Sequence, residues 1–386
     1  MKTSVFLALV IACIATMLTG SGHSQTTGPG TISVSADTTC PTIGNGSGNQ
    51  FPSNTHCFSG TISCIDVPDI AFTFGVQGIG GTAGTIAMFS HGDGTTLDFD
   101  STVIGNYNAA QFQTVEVVWQ SDAGASSPWE LASGSPAIIK QAACRPATLL
   151  NWIFTHIYGS GGKCAEGVSA GSAAIAYSMA QYDVNYLDAV EFLSGPPLSD
   201  ISKGCGQQTY QSANVCSESF CKSAPPGMTP EGSWMDTFKY TDAESAIDRW
   251  TNLPEGTCGT APNSYGSNYL DMSIVDNESD STFHYPATAV SIWVCAKSGA
   301  SNSICGGSNP TANNSAAEAD YFADQIAGFG SARALSLYRV DQCNPTHEDV
   351  GNGVVPAFYS NGICPTGNTV IASDMAKQCK APPTHH

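Results

Sequence analysis

Between Ile70 and Val340 the chain alternates short β-branched apolar runs with stretches of helical spacing, and this alternation restricts the architecture more than any other feature. "IAFTFGV" (70–76) alternates like a strand, while "GTIAMFS" (84–90) and "TVEVVWQ" (114–120) are compact apolar runs of the kind found in buried strands. Residues 137–156 place apolar side chains at helical spacing, with Pro146 marking a helix start or a kink. A strand then runs to Gly167, a helix covers 172–182, strands follow at 189–197 and 289–296, a helix at 316–330 and a strand at 334–340. Strands alternating with helices predict an α/β domain with a mostly parallel central sheet flanked by helices.

The segments outside this pattern divide the rest of the chain. Residues 1–24 combine Lys2, an apolar run from Val5 to Leu18 and a cluster of mostly small residues, the make-up of a cleavable secretory signal. That run is shorter than the roughly 20 residues of a membrane span, and no second candidate span follows. Residues 25–69, rich in Thr, Ser, Gly, Asn and Pro, read as an irregular N-terminal segment pinned by Cys40 and Cys57, ahead of the main domain at 70–380. Residues 201–285, with Cys205, Cys216, Cys221 and Cys258, are too long for a bare loop and read as a disulfide-rich cap insertion over one end of the sheet.

Cysteine usage agrees with export. Of 15 cysteines, Cys13 lies in the signal, and the even remainder favours disulfides in a secreted or periplasmic protein. Cys364 with Cys379 and Cys295 with Cys305 are close enough along the chain to pair. No CxxC pair exists and the histidines are scattered, so no metal site is expected. Acidic residues outnumber basic ones 32 to 13, a formal charge of -19 that makes nucleic acid and anionic membrane poor partners and suits a self-repelling monomer.

The segment that carries chemistry is "KCAEGVSAGSAAIAYSMAQY" (163–182), in which Gly167-Val168-Ser169-Ala170-Gly171 matches G-x-S-x-G. The pentapeptide alone is weak in a chain so rich in Gly and Ser. Its context is specific: it follows a strand, precedes a helix of small residues and occurs once. Upstream, "FSHGDG" (89–94) closes a strand with glycines that let backbone N–H groups approach an anion, and His347 follows the last strand in "RVDQCNPTHEDVGNG".

On these residues the chain, from about Ile70 to Lys380, resembles the α/β-hydrolase superfamily. The resemblance implies Ser169 as nucleophile, His347 as general base, and an oxyanion hole drawn from Gly92, Asp93, Gly94 and the N–H of Ala170. It also implies an acid, and here the chain departs from the pattern. Ser298 stands where an aspartate is expected, and no carboxylate occurs between Asp280 and Glu318. Asp200, after the strand that follows the elbow, is the topological candidate; Asp188, Asp276, or a dyad supported by Ser298 or Asn302 are the alternatives. The expected activity is a secreted serine esterase, without metal or organic cofactor, acting on a small-molecule or polymeric ester. A serine peptidase or lipase on the same fold, or a catalytically weak hydrolase-like binding protein, is the alternative reading.

Overall fold

The computed structural model describes residues 29–37, 39–43, 50–90, 95, 97, 99, 101–120, 129, 137–193, 195–211, 229–230, 235–238, 244–275, 285–295, 314–328, 332–340 and 367–379. Strands β1 (Thr31–Ala36), β2 (His56–Cys64), β3 (Val67–Gln77) and β4 (Gly84–Phe89) come first, followed by helix α1 (Ser101–Ala109) and β5 (Phe112–Gln120). A short α2 (Ile139–Ala142) leads into α3 (Cys144–Trp152), which ends in a π-turn over Ile153–Ile157. Then come β6 (Gly162–Val168), α4 (Ala170–Gln181), β7 (Ala189–Leu193) and α5 (Ile201–Cys205). The region after α5 holds β8 (Thr209–Gln211), β9 (Thr229–Pro230), β10 (Met235–Thr237), α6 (Glu244–Trp250), α7 (Thr257–Thr260), a 3-10 turn at Pro262–Tyr265 and α8 (Gly266–Asp271). The chain closes with β11 (Tyr285–Cys295), α9 (Asn314–Gly328), β12 (Ala332–Val340) and α10 (Gly367–Gln378).

Ten strands form one sheet in the order β1-β2-β3-β5-β4-β6-β7-β11-β12-β9. The six from β5 to β12 are mutually parallel, and β1, β2, β3 and β9 run antiparallel to their neighbours. The parallel strands β4 to β7 are buried at nearly every position because both faces are covered. Ala87, Phe89, Ala165, Val190 and Ile292 pack on the side of α3, α4 and α9. Ile86, Met88, Cys164, Val168 and Leu193 pack against α1 and α10. Helix α4 is buried from Gly171 to Ala180, so its small residues on all sides reflect close approach to the sheet rather than an amphipathic surface.

One segment differs from the sequence expectation, and the proline of another falls where it was expected. The polar segment before residue 70 is not irregular: "TISVSA" and "HCFSGTISC" are β1 and β2, an antiparallel extension of the sheet. An edge strand needs only alternate side chains turned inward, so Thr and Ser runs serve there without an apolar block. Pro146 lies in the first turn of α3, where its missing N–H has no helical acceptor to serve.

Four disulfides tie the described residues: Cys40–Cys57, Cys64–Cys144, Cys164–Cys379 and Cys205–Cys258. Cys379 therefore pairs with Cys164 on β6, not with the nearby Cys364, because α10 returns across the sheet to the amino end of β6. The approach is close enough that a Cβ on Gly162 would lie 1.9 Å from the Cys379 carbonyl oxygen. Cys305, the expected partner of Cys295, lies outside the described residues.

The 194–284 crossover between β7 and β11 is built partly into the core. Ile201, Cys205, Ile247, Cys258, Tyr269 and Ile274 join the α4-side core. Backbone N–H groups of Ile274 and Val275 bond the carbonyls of Leu198 and Ser199, each at 3.0 Å.

Candidate active site

Ser169 is the residue on which β6 stops and α4 begins. Its backbone takes φ 50° and ψ -111°, a conformation that costs a non-glycine residue about 1–3 kcal/mol and persists only where the surroundings enforce it. The enforcement is visible on both sides. The Ser169 N–H bonds the Leu193 carbonyl of β7 at 2.8 Å, and its own carbonyl accepts Ala173 N–H at 3.1 Å. Ser172 Oγ donates to the Gly167 carbonyl at 2.5 Å and reaches that of Leu193 at 3.3 Å.

The two flanking glycines are required by space. A Cβ on Gly167 would sit 2.5 Å from backbone atoms of Gly171, and one on Gly171 would sit 2.1 Å from the Phe89 carbonyl oxygen. Ser169 occupies the N-cap position of α4, yet its side chain makes no capping bond, so the half-buried hydroxyl is left for other use. The N–H of Ala170 is in the first turn, among the donors without an intrahelical acceptor.

The connections place this serine in a crevice. After β4 the chain turns to α1 on one face of the sheet, whereas after the adjacent β6 it turns to α4 on the other. Between neighbouring strands whose connections diverge, the carboxyl ends are left open, which is where ligands bind in parallel α/β sheets. Phe89 pairs with Gly167 in register, so the end of β4 and the segment leading to Gly92, Asp93 and Gly94 start beside Ser169. Those three residues and His347 lie outside the described residues, as do Ser298, Asn302 and Asp276.

Asp200 is described, and most of its contacts are with the start of α5. It is fully buried and caps α5: Oδ1 accepts from Ser202 Oγ at 2.6 Å and Lys203 N–H at 3.0 Å, and Oδ2 from Lys203 Nζ at 2.6 Å. Tyr321 of α9 also bonds it, and burial with the Asp200 charge pushes that phenol up. Asp188 and His156 lie at the amino end of the sheet. Asp188 accepts Lys163 N–H at 2.8 Å, and His156 stacks on Trp152. Seven residues of β6, about 23 Å of strand at ~3.3 Å per residue, separate that end from Ser169.

A strand order in which β5 inserts between β3 and β4, with a strained serine joining the next parallel strand to a buried helix, decides the fold. The chain has the α/β-hydrolase fold. Solved structures similar to it include an esterase from Pyrobaculum calidifontis, at 11% identity over 84% of this chain and 86% of that one (TM-score 0.45). Brefeldin A esterase, a bacterial homologue of human hormone-sensitive lipase, matches at 14% identity over 98% and 87% (TM-score 0.42). Acetyl xylan esterase 1 from Thermoanaerobacterium matches at 11% over 81% and 83% (TM-score 0.43). No protein-family model and no curated protein matches the chain.

Within this hydrolase fold, one constellation was missed by the sequence reading. Glu116 of β5, Met88 of β4, Glu166 of β6, Glu191 of β7 and Ser291 of β11 stand side by side in register across the sheet. The three glutamates are buried. Tyr107 of α1 donates to Glu166 Oε2, and burial, eased by that bond, pushes the Glu166 carboxyl up to about 7. Burial, followed by the charges of Glu166 and Asp374, raises Glu191 well above the usual carboxylate range. The signal was present: "TVEVVWQ", "KCAEGV" and "AVEFL" each set one glutamate inside an otherwise apolar strand.

Proposed function

We propose that the chain is a serine hydrolase that cleaves carboxylic esters through an acyl-enzyme, with Ser169 as nucleophile. One observation carries this reading: the serine is held at φ 50° between two glycines that no larger residue can replace, and its hydroxyl is not spent on capping. Strain of this kind is maintained where it aims a reacting group. In the proposed cycle Ser169 Oγ attacks the ester carbonyl while His347 accepts its proton, and the Ala170 N–H with backbone N–H groups of Gly92, Asp93 and Gly94 holds the oxyanion. Protonation of the leaving alcohol by His347 leaves an acyl-enzyme. His347 then removes a proton from water, which attacks the acyl carbonyl and releases the acid and the free serine.

The predicted acid, Asp200, has both oxygens engaged. A carboxylate offers about four lone-pair directions, so Asp200 orients His347 in this scheme only by sharing oxygens with Lys203 and the α5 cap. The four disulfides support a site of action outside the reducing cytoplasm.

The test is labelling of the purified chain by a fluorophosphonate, beside hydrolysis of p-nitrophenyl acetate and butyrate. Both are expected in the wild type and lost in Ser169→Ala and His347→Ala. Hydrolysis that survives Ser169→Ala refutes the assignment, and a folded chain that neither labels nor turns over supports a non-catalytic binding protein instead. A panel of peptide and long-chain glyceride substrates separates esterase from peptidase and lipase.

A further inference from the structure

We infer that Glu191 carries a proton at neutral pH and that the Glu166–Glu191 pair positions the strand junction holding Ser169. The second half rests on the proposed role of Ser169; the first does not. Both residues are fully excluded from solvent. They occupy adjacent register positions on parallel neighbours, whose backbones lie about 4.8 Å apart. Among the described residues, Glu166 has one donor, the Tyr107 hydroxyl, and its Oε1 has none; both Glu191 oxygens are without any hydrogen-bond partner.

Among the described residues, the groups packed around the pair supply no compensating positive charge. From α10, Asp374 faces it, already bonded by Ser291 Oγ at 2.6 Å and Gln378 Nε2 at 3.3 Å. Tyr107 faces it from α1 and Glu116 lies across Met88 from Glu166. Among the described basic side chains on these elements and on β12, Lys377 is exposed and Lys163 lies over the Tyr158 and Tyr186 rings at the other end of β6. Arg333 spends its guanidinium on the carbonyls of Asp188 and Gln378. No group of three His, Cys, Asp or Glu side chains among the described residues is arranged to hold a metal ion.

Two adjacent buried carboxylates without a counter-charge cannot both ionise. The proton belongs on the member with no donor, Glu191. Protonation converts one acceptor-only oxygen of Glu191 into a donor. Loss of that proton would set like charges facing each other between β6 and β7. Those strands are also joined by the 2.8 Å bond from Ser169 N–H to the Leu193 carbonyl, three residues above Glu166 and two above Glu191. The pair is thus a positioning element for the elbow.

The sign follows from linkage. A carboxyl whose folded value is raised contributes stability that is complete below the ordinary carboxyl value of 4.5 and is lost as pH climbs through the folded value, about 7 for Glu166 and well above the ordinary carboxyl value for Glu191. Within that window each such group lowers the folding equilibrium by up to about tenfold per pH unit.

The experiment compares urea melts of the full chain and Glu191→Gln from pH 5 to 9, with infrared spectra of the wild type across the same range. Glu191→Gln is expected to match the wild type at pH 5 and to exceed it by about tenfold or more in folding constant at pH 8. The wild type is expected to show a protonated-carboxyl C=O band at pH 7 that loses the Glu191 share of its intensity in the variant. A variant less stable than the wild type at pH 8, or no such band at pH 7, overturns the proton. The fluorophosphonate labelling rate is the third readout: it should fall in the wild type at alkaline pH before Glu191→Gln loses it. Identical labelling profiles overturn the positioning role. Absence of labelling in both proteins, with the melts and the band as expected, refutes the Ser169 reading and leaves the proton standing.

Discussion

Gly171→Ala is the substitution whose consequence is most directly set by the packing. Alanine would place a methyl 2.1 Å from the Phe89 carbonyl oxygen and 2.7 Å from its carbonyl carbon, both backbone atoms at the end of β4. A carbon and an oxygen need about 3.2 Å, so α4 has to move away from β4 by about 1 Å, and neither partner is a side chain that can swing aside. Overpacking of this kind costs about 1–3 kcal/mol, and rigid partners put the cost near the upper end. Ala gains up to about 1 kcal/mol over Gly in helix propensity, which leaves a net loss near 2 kcal/mol, about thirtyfold in the folding constant. Gly105→Ala is the matched control: it lies in α1 with nothing within 4 Å of its added Cβ, so only the propensity term acts and stability rises by up to about 1 kcal/mol. Urea melts of the two variants should move in opposite directions, and fluorophosphonate labelling should fall only in Gly171→Ala, because the displaced helix start carries the Ala170 N–H. A Gly171→Ala protein that melts and labels like the wild type would refute the β4–α4 contact and the elbow geometry built on it.

The other perturbations address single contacts. Cys379→Ser opens the bond that joins α10 to β6 across 215 residues, and the loss is expected at about 3–5 kcal/mol from loop entropy, read as a lower urea midpoint; the wild type under reductant, which opens the other three described bonds as well, should fall further. Asp200→Asn keeps an acceptable helix cap but strands Lys203 beside a neutral group, so stability should drop by about 2–3 kcal/mol with Lys203→Met partly restoring it. A drop in turnover at unchanged stability would instead mark Asp200 as the triad acid. Tyr107→Phe removes the only donor to Glu166 among the described residues and should steepen the loss of stability between pH 5 and 8, measured by the same melts.

The strand runs around Phe72, Ile86, Val117 and Ile292 and the small-residue helix after Ser169 were legible because burial on both faces of a sheet favours apolar-rich blocks, and a tight junction requires Gly167 and Gly171. Thr31–Ala36 was not, since an edge strand carries a faint alternation that resembles loop composition. The G-x-S-x-G pattern marked the junction, but the φ of Ser169 is imposed by Leu193 of β7 and Phe89 of β4, residues that only the sheet order brings beside it. The partner of Cys379 depended on where α10 returns, a choice invisible to spacing along the chain. For Asp200 and the glutamates, residue type was evident and meaning was not: a carboxylate acts as cap, acid or proton store according to the donors and charges that surround it, and those neighbours are assembled by the fold from distant parts of the chain.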